Sequence, residues 1–150
     1  MKAVAMSRNE KYHHPEMWDA IARICPIVEM EDRHGDFHVI CDDDNMLIIE
    51  RKAAMDFVNS IKDGRLFNQV ARAKQVTPYV YVVIVGSILP VRGGKTAING
   101  NLTGWDYAAI QGVMVSIQEL GAMIIHCADD NDFVAAVVRL ANRSRDVIPV

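Results

Sequence analysis

The run Tyr79-Val80-Tyr81-Val82-Val83-Ile84-Val85 constrains this fold more than any other stretch. β-Branched and aromatic side chains favour extended backbone, and a strand that is apolar at every position must be covered on both faces. A central strand between two layers of helices is therefore predicted. The covering helices are legible as apolar stripes at helical spacing. Met17, Trp18, Ile21 and Ile24 form one, begun at His14-Pro15 and stopped by Pro26. Phe57, Val58, Ile61, Leu66 and Val70 line a second, over 53–75, with a break at Asp63-Gly64. Tyr107, Ile110, Met114 and Ile117 line a third over 104–120, ended by Gly121. Phe133, Val134, Val137 and Leu140 line the last, capped by Asp129 or Asp130.

Further strands are predicted at 2–6, 26–31, 36–41, 46–50 and 122–127. Asp32-Arg33-His34-Gly35 is turn chemistry, and Asp42-Asp43-Asp44-Asn45 is a tight polar turn that makes 36–41 and 46–50 a hairpin. The acidic turn has neither the spaced ligands nor the distal Glu of an EF-hand loop. Ser7 to Lys11 is expected to be a loop, and 86–103 a long mobile glycine-bearing loop near a ligand, carrying Arg92 and Lys95. Its Gly93-Gly94-Lys95-Thr96 is not a nucleotide P-loop, because Leu89 stands where the first glycine is required. Residues 143–150 are expected to form a frayed or partner-docking tail. The order of elements is strand, helix, strand meander, helix, strand, helix, strand, helix. It predicts an α/β fold, a three-layer α/β/α sandwich with a mixed central sheet. The 150 residues suit a single domain over 1–150.

A net charge of −3 excludes a global basic field, so nucleic acid would need a local patch. Cys25, Cys41 and Cys127 show no paired spacing and are read as buried thiols of a reducing compartment. No apolar run approaches the roughly 20 residues of a membrane span, so no membrane partner is expected. Ser7 to Glu10 interrupts any signal-peptide core. An intracellular protein is expected, in the cytoplasm or nucleoid, or in a eukaryotic nucleus.

The chemistry concentrates at Met46-Leu47-Ile48-Ile49-Glu50-Arg51-Lys52, an apolar strand that ends in charge. Residues two apart on a strand share a face, so Glu50 and Lys52 project together and Arg51 projects oppositely. In the hairpin, the start of one strand lies beside the end of the other, which brings Asp36 to Glu50. Two carboxylates and a lysine form the Asp…Glu-x-Lys triad of metal-dependent nucleases. Asp36 and Glu50 would hold Mg²⁺, the Arg51 carbonyl could add a ligand, and Lys52 would orient water or stabilise the transition state. Arg65, Gln69 and Arg72 fall on one helix face. The adjacent His13 and His14 read as a surface turn. A surface ion pair remains the alternative for the triad alone.

A wider pattern is more specific. Gly35-Asp36, then Glu50-Arg51-Lys52 and Asp56, resembles the GD…ERKxxxD signature of the XPF-family structure-specific nucleases. Phe57, Ser60, Ile61, Asp63-Gly64-Arg65-Leu66 and Gln69 continue the likeness. The resemblance implies a restriction-endonuclease-like fold and Mg²⁺- or Mn²⁺-dependent cleavage of branched DNA: flaps, forks or junctions. It implies that Asp36 and Glu50 are metal ligands and Lys52 a catalytic residue. Arg51, Asp56, Arg65, Gln69 and Arg72 become DNA-binding or site-supporting. Arg8, Glu10, Arg92 and Lys95 are further candidates. The family has an earlier Asp in a D-x-R-E segment; here the region reads Met6-Ser7-Arg8-Asn9-Glu10, with no Asp. No tandem helix-hairpin-helix domain is expected. A homodimer or heterodimer is, through Ala108, Ala109 and Gly112 on one helix and Ala135 and Ala136 on another. Two other readings stay open: a catalytically weak or inactive DNA-binding scaffold subunit of a nuclease heterodimer, and a nuclease of ordinary duplex DNA.

Overall fold

The computed structural model describes residues 1–31 and 35–145. Its elements in chain order are β1 (Ala3–Ser7), α1 (Arg8–His13), α2 (Pro15–Ala22), β2 (Ile27–Met30), β3 (Phe37–Ile40) and β4 (Met46–Ala53). Then come α3 (Ala54–Ser60), α4 (Arg65–Lys74), β5 (Val80–Val85), β6 (Ile88–Pro90), β7 (Lys95–Ile98) and β8 (Asn101–Asp106). α5 (Tyr107–Glu119), β9 (Ala122–Cys127) and α6 (Asp130–Ala141) complete the chain. The main sheet has six strands in the order β2-β1-β3-β4-β5-β9. Only β3 runs against the others, so the sheet is mixed.

The alternation of β5 divides the core as its apolar run requires. Tyr81 and Val83 pack with Met17 and Ile21 of α2 and Phe133 and Val137 of α6. Val80, Val82 and Ile84 pack with α3, α4 and α5 through Phe57, Leu66, Val70, Ile110 and Ile117. The three-layer α/β/α prediction stands. No helix among the described residues is long and apolar enough to cross a membrane. The three cysteines are buried and free.

Several expectations are corrected. Residues 8–11 are helical, not a loop: Ser7 caps α1 by accepting a hydrogen bond from the Glu10 amide. Glu10 stands three residues after Ser7, the spacing of a capping box. Ile24 is 51% exposed and outside the α2 stripe, because the helix ends at Ala22. β2, β3 and β4 are not a meander, since β1 lies between β2 and β3 and pairs with both. Residues 86–103 are not a mobile loop. They form most of a three-stranded antiparallel sheet, β6-β7-β8, so the third helix begins at Tyr107, not residue 104. Asn99 and Gly100 join β7 to β8 with φ of 51° and 80°. This is the left-handed backbone that a two-residue hairpin demands, and the Asn-Gly pair announced it. Arg145 is buried, not frayed. Its amide donates to Asp43, and its guanidinium donates to the Leu140 carbonyl at 2.6 Å. The turn at Asp32-Arg33-His34 and the tail at 146–150 lie outside the described residues.

The loop before β3 closes on a glycine for a steric reason. Gly35 has φ +90°, and a Cβ there would come within 2.6 Å of Ile48 Cγ2 and 3.5 Å of Glu50 Oε2. Gly35→Ala should lose about 2–4 kcal/mol by urea unfolding, from a left-handed backbone and a crowded β4. A loss under about 0.5 kcal/mol would mean that the loop relaxes freely.

Candidate active site

Register builds the site. Phe37 lies opposite Ile49, and Met6 opposite Phe37, so the next positions along the three strands are Ser7, Asp36 and Glu50. The Ser7 amide donates to the Asp36 carbonyl at 2.8 Å, and the Asp36 amide donates to the Ile49 carbonyl at 3.0 Å. Val4, Met6, Phe37, Val39, Leu47 and Ile49 belong to the α2/α6 side of the core. By alternation, Ser7, Asp36 and Glu50 form a row on the opposite face, at one end of three adjacent strands. Lys52 shares that face, and its ammonium is 4.0 Å from Glu50 Oε1.

Asp36, Glu50 and Lys52 floor a cleft of about 690 Å³ whose other lining residues are Asn9, Glu10, His13, His14, Arg51, Ala53, Asp56, Asn59, Arg65 and Gln69. It opens at the carboxyl ends of parallel strands, where open α/β sheets bind ligands. The structure thus brings together Asp36, Glu50, Arg51, Lys52, Asp56, Arg65, Gln69 and Glu10. It leaves the other candidates outside the lining. Arg8 pairs with Glu29 at 3.2 Å, and Lys95 with Asp106 at 2.8 Å. Arg92 sits in the turn between β6 and β7. Arg72 is exposed, with Nε donating to the Asn68 carbonyl at 3.4 Å. His13 and His14, read as a surface turn, do line the cleft, because α1 carries them back over the strand ends.

Arg51 is the least expected member. Its amide donates to Asp36 Oδ2 at 2.8 Å. Its side chain crosses to the α6 face, where Nε and Nη2 donate to Asp130 Oδ1 at 3.1 and 2.6 Å. Nη1 lies 3.2 Å from His14 Nε2. A guanidinium can only donate, so Nε2 is the acceptor in this contact. His14 Nδ1 faces Glu16 at 3.5 Å and Asp130 at 3.8 Å. His14, Glu16 and Asp130 offer ligand atoms within 4.8 Å of one another, a group of metal-ligand type beside the cleft. Asp130 and His14 carry no motif signal in the sequence, and only folding brings them to Arg51.

The ERCC4 domain family matches residues 17–140, a span that contains Asp36, Glu50 and Lys52. The chain belongs to this family. Two solved structures share the fold of this ERCC4 domain. XPF from Aeropyrum pernix is 22% identical, with a TM-score of 0.69 over 93% of this chain and 63% of that one. XPF from Aeropyrum pernix in complex with DNA is 21% identical, with a TM-score of 0.71 over 94% and 64%. The chain therefore spans just under two thirds of the length of either. No curated protein matches it. The likeness shows the fold, restriction-endonuclease-like, as the resemblance implied.

Electrostatics in this ERCC4 domain follow from crowding acids at the strand ends. Glu50 is 6% exposed, and burial followed by the Asp36 charge raises its pKa from the ordinary 4.5 to about 8. Burial, then Asp36, raises Glu10 from 4.5 to about 7, against the Arg51 charge. Glu10 Oε2 and Gln69 Oε1 are buried without a hydrogen-bond partner. Such atoms are expensive unless a ligand completes them.

For Glu50, the folded state keeps a proton between pH 4.5 and about 8 that the unfolded chain has released, so stability falls as pH rises through that window. Glu50→Gln should therefore raise the thermal midpoint of metal-free protein at pH 8 by several degrees, at about 2–4 °C per kcal/mol relieved. The gain should shrink towards pH 5. A gain independent of pH in melting curves would refute the buried-charge account.

Proposed function

We propose that this chain is a divalent-metal-dependent DNA endonuclease, a phosphodiester hydrolase that cuts branched DNA such as flaps, forks or junctions. The observation that carries this reading is the convergence of Asp36, Glu50 and Lys52 in one cleft beside the buried, unpartnered oxygen of Glu10. Carboxylates that repel one another in a buried corner suit a hard dication, which takes oxygen ligands. Asp36, Glu50 and Glu10 would hold Mg²⁺ or Mn²⁺, with the Arg51 carbonyl as a further donor. When bound, the ion would activate water and offset charge on the scissile phosphate.

The remaining work falls to the protein. Lys52 orients the attacking water or stabilises the negative charge that builds on the phosphate, and Glu50 keeps its ammonium in place. Arg65 and Gln69 reach the cleft from the first two turns of α4 and suit the flanking DNA backbone, with Asp56 and Asn59 on the neighbouring α3. With a net charge of −3, affinity rests on this local set. The reading goes with an intracellular location. Ala108, Ala109, Gly112 and Ala135 are exposed and suit a homodimer or heterodimer surface, but Ala136 is buried in the core and drops from it.

One observation favours a second reading, a weak or inactive DNA-binding subunit beside an active partner. The strand position next to Asp36 is Ser7, which, with Met6, stands where the resemblance puts the family's earlier Asp. It caps α1 and adds no carboxylate.

Labelled flap, fork, Holliday-junction and duplex DNA, incubated with Mg²⁺, Mn²⁺ or EDTA, separates these readings. Metal-dependent cutting of branched DNA is expected, with Asp36→Ala and Lys52→Ala reduced at least about 100-fold while still binding DNA. Binding without cutting would sink the enzyme reading, and equal cutting of plain duplex would sink the branched specificity. Ser7→Asp should tighten Mn²⁺ binding, since an aspartate can cap the same helix and adds an oxygen ligand. Calorimetric titration reads this directly, and weaker binding in the variant would argue against the three-strand row.

A further inference from the structure

We infer that Asp130 and His14 are positioning residues for the acidic corner, acting through Arg51. This rests on the metal-site reading above and names the residues that hold its geometry. Arg51 occupies the one position in Glu50-Arg51-Lys52 that points away from the catalytic face. Its side chain is only 9% exposed, yet it makes no contribution to the row itself. It crosses the sheet to Asp130 in the first turn of α6 and to His14, while Phe133 lies under the guanidinium at 5.9 Å.

Two routes lead from this clamp to the carboxylates. The first runs through the backbone. The Arg51 amide donates to Asp36 Oδ2 at 2.8 Å, so the tilt of this peptide sets the direction of the Asp36 carboxylate. Rotation of β4 about its axis would move Glu50 and Lys52 together with it, and a guanidinium held from the opposite face opposes that rotation. The second route runs through α1. The His14 amide donates to the Glu10 carbonyl at 2.8 Å, so the residue that meets Arg51 Nη1 also closes the short helix that carries Glu10. One guanidinium thereby ties β4, α1 and α6 at the point where the acids meet. The His14, Glu16 and Asp130 group beside it is already bridged by this cation, through His14 Nε2 and Asp130 Oδ1.

The test is Mn²⁺ affinity of the full chain, read by electron paramagnetic resonance titration, with thermal midpoints measured on the same samples. Asp130→Ala removes both the charge and the acceptor, whereas Asp130→Asn removes the charge and keeps an oxygen for Arg51. Asp130→Ala should lose Mn²⁺ affinity about 10-fold, the scale of supporting residues around metal sites. Asp130→Asn should lie within about threefold of the wild type, because the acceptor survives. Asp132→Ala, which removes the acceptor for the Ala128 amide at the start of the same helix, should lower the thermal midpoint without changing Mn²⁺ affinity. Equal losses in Asp130→Ala and Asp130→Asn would mean that Asp130 acts only through its charge, and would overturn the inference. An equal loss in Asp132→Ala would reduce the effect to helix stability and overturn it too. Wild-type Mn²⁺ binding with unaltered Asp130→Ala would overturn it and leave the metal site standing. Absence of Mn²⁺ binding in the wild type would overturn the metal site and this inference together.

Discussion

Asp36 is held between Ser7 and Glu50 by backbone hydrogen bonds to both neighbouring strands, and every proposed role at the cleft depends on that register. Side chains alternate along a strand, so a slip of one residue in β3 would send Asp36 into the α2/α6 core and Phe37 into the cleft. The apolar partners prevent the slip. Phe37 and Val39 are fully buried on one face, and Phe37 meets Phe133 with ring centroids 5.2 Å apart. Hydrophobic burial thereby aims a carboxylate, and packing and chemistry meet in one alternation.

The same corner works against the stability of the fold. Raised pKa values at Glu50 and Glu10, and buried oxygens without partners, mark a place where local rules of satisfaction are broken. Departures of this kind concentrate where a protein does chemistry, because a ligand supplies what the chain withholds. Arg51 is the counterweight. Its charge lowers the pKa of Glu10, and its peptide amide partners Asp36, so it supports the acids while its guanidinium is held from the α6 side.

Two misread segments carried their own signals. Ser7 and Glu10 have capping-box spacing, and Asn99-Gly100 is the strongest short hairpin signal a sequence offers. Polarity hid the first, and a run of glycines hid the second. Strand order was different. Nothing local says that β1 lies between β2 and β3, because that choice rests on which apolar faces cover one another across the sheet. The positions of Arg92 and Lys95 outside the cleft lining follow from the small sheet, which puts Arg92 in the β6–β7 connection and pairs Lys95 at the start of β7 with Asp106.

Local periodicity and turn chemistry determined the layered fold, the hairpin and the convergence of Asp36, Glu50 and Lys52, because pairing across a short turn is set by neighbouring residues. Motif likeness added the family, and the match over 17–140 bears it out. Only the tertiary structure decided that Asp130, 79 residues from Arg51, and His14, 37 residues from it, stand at its guanidinium. It also singled out Glu10 from the further candidates, setting it beside the acids while Arg8, Arg92 and Lys95 stay outside the cleft lining. Those contacts arise from how helices settle on opposite faces of the sheet, and no periodicity in the chain records them.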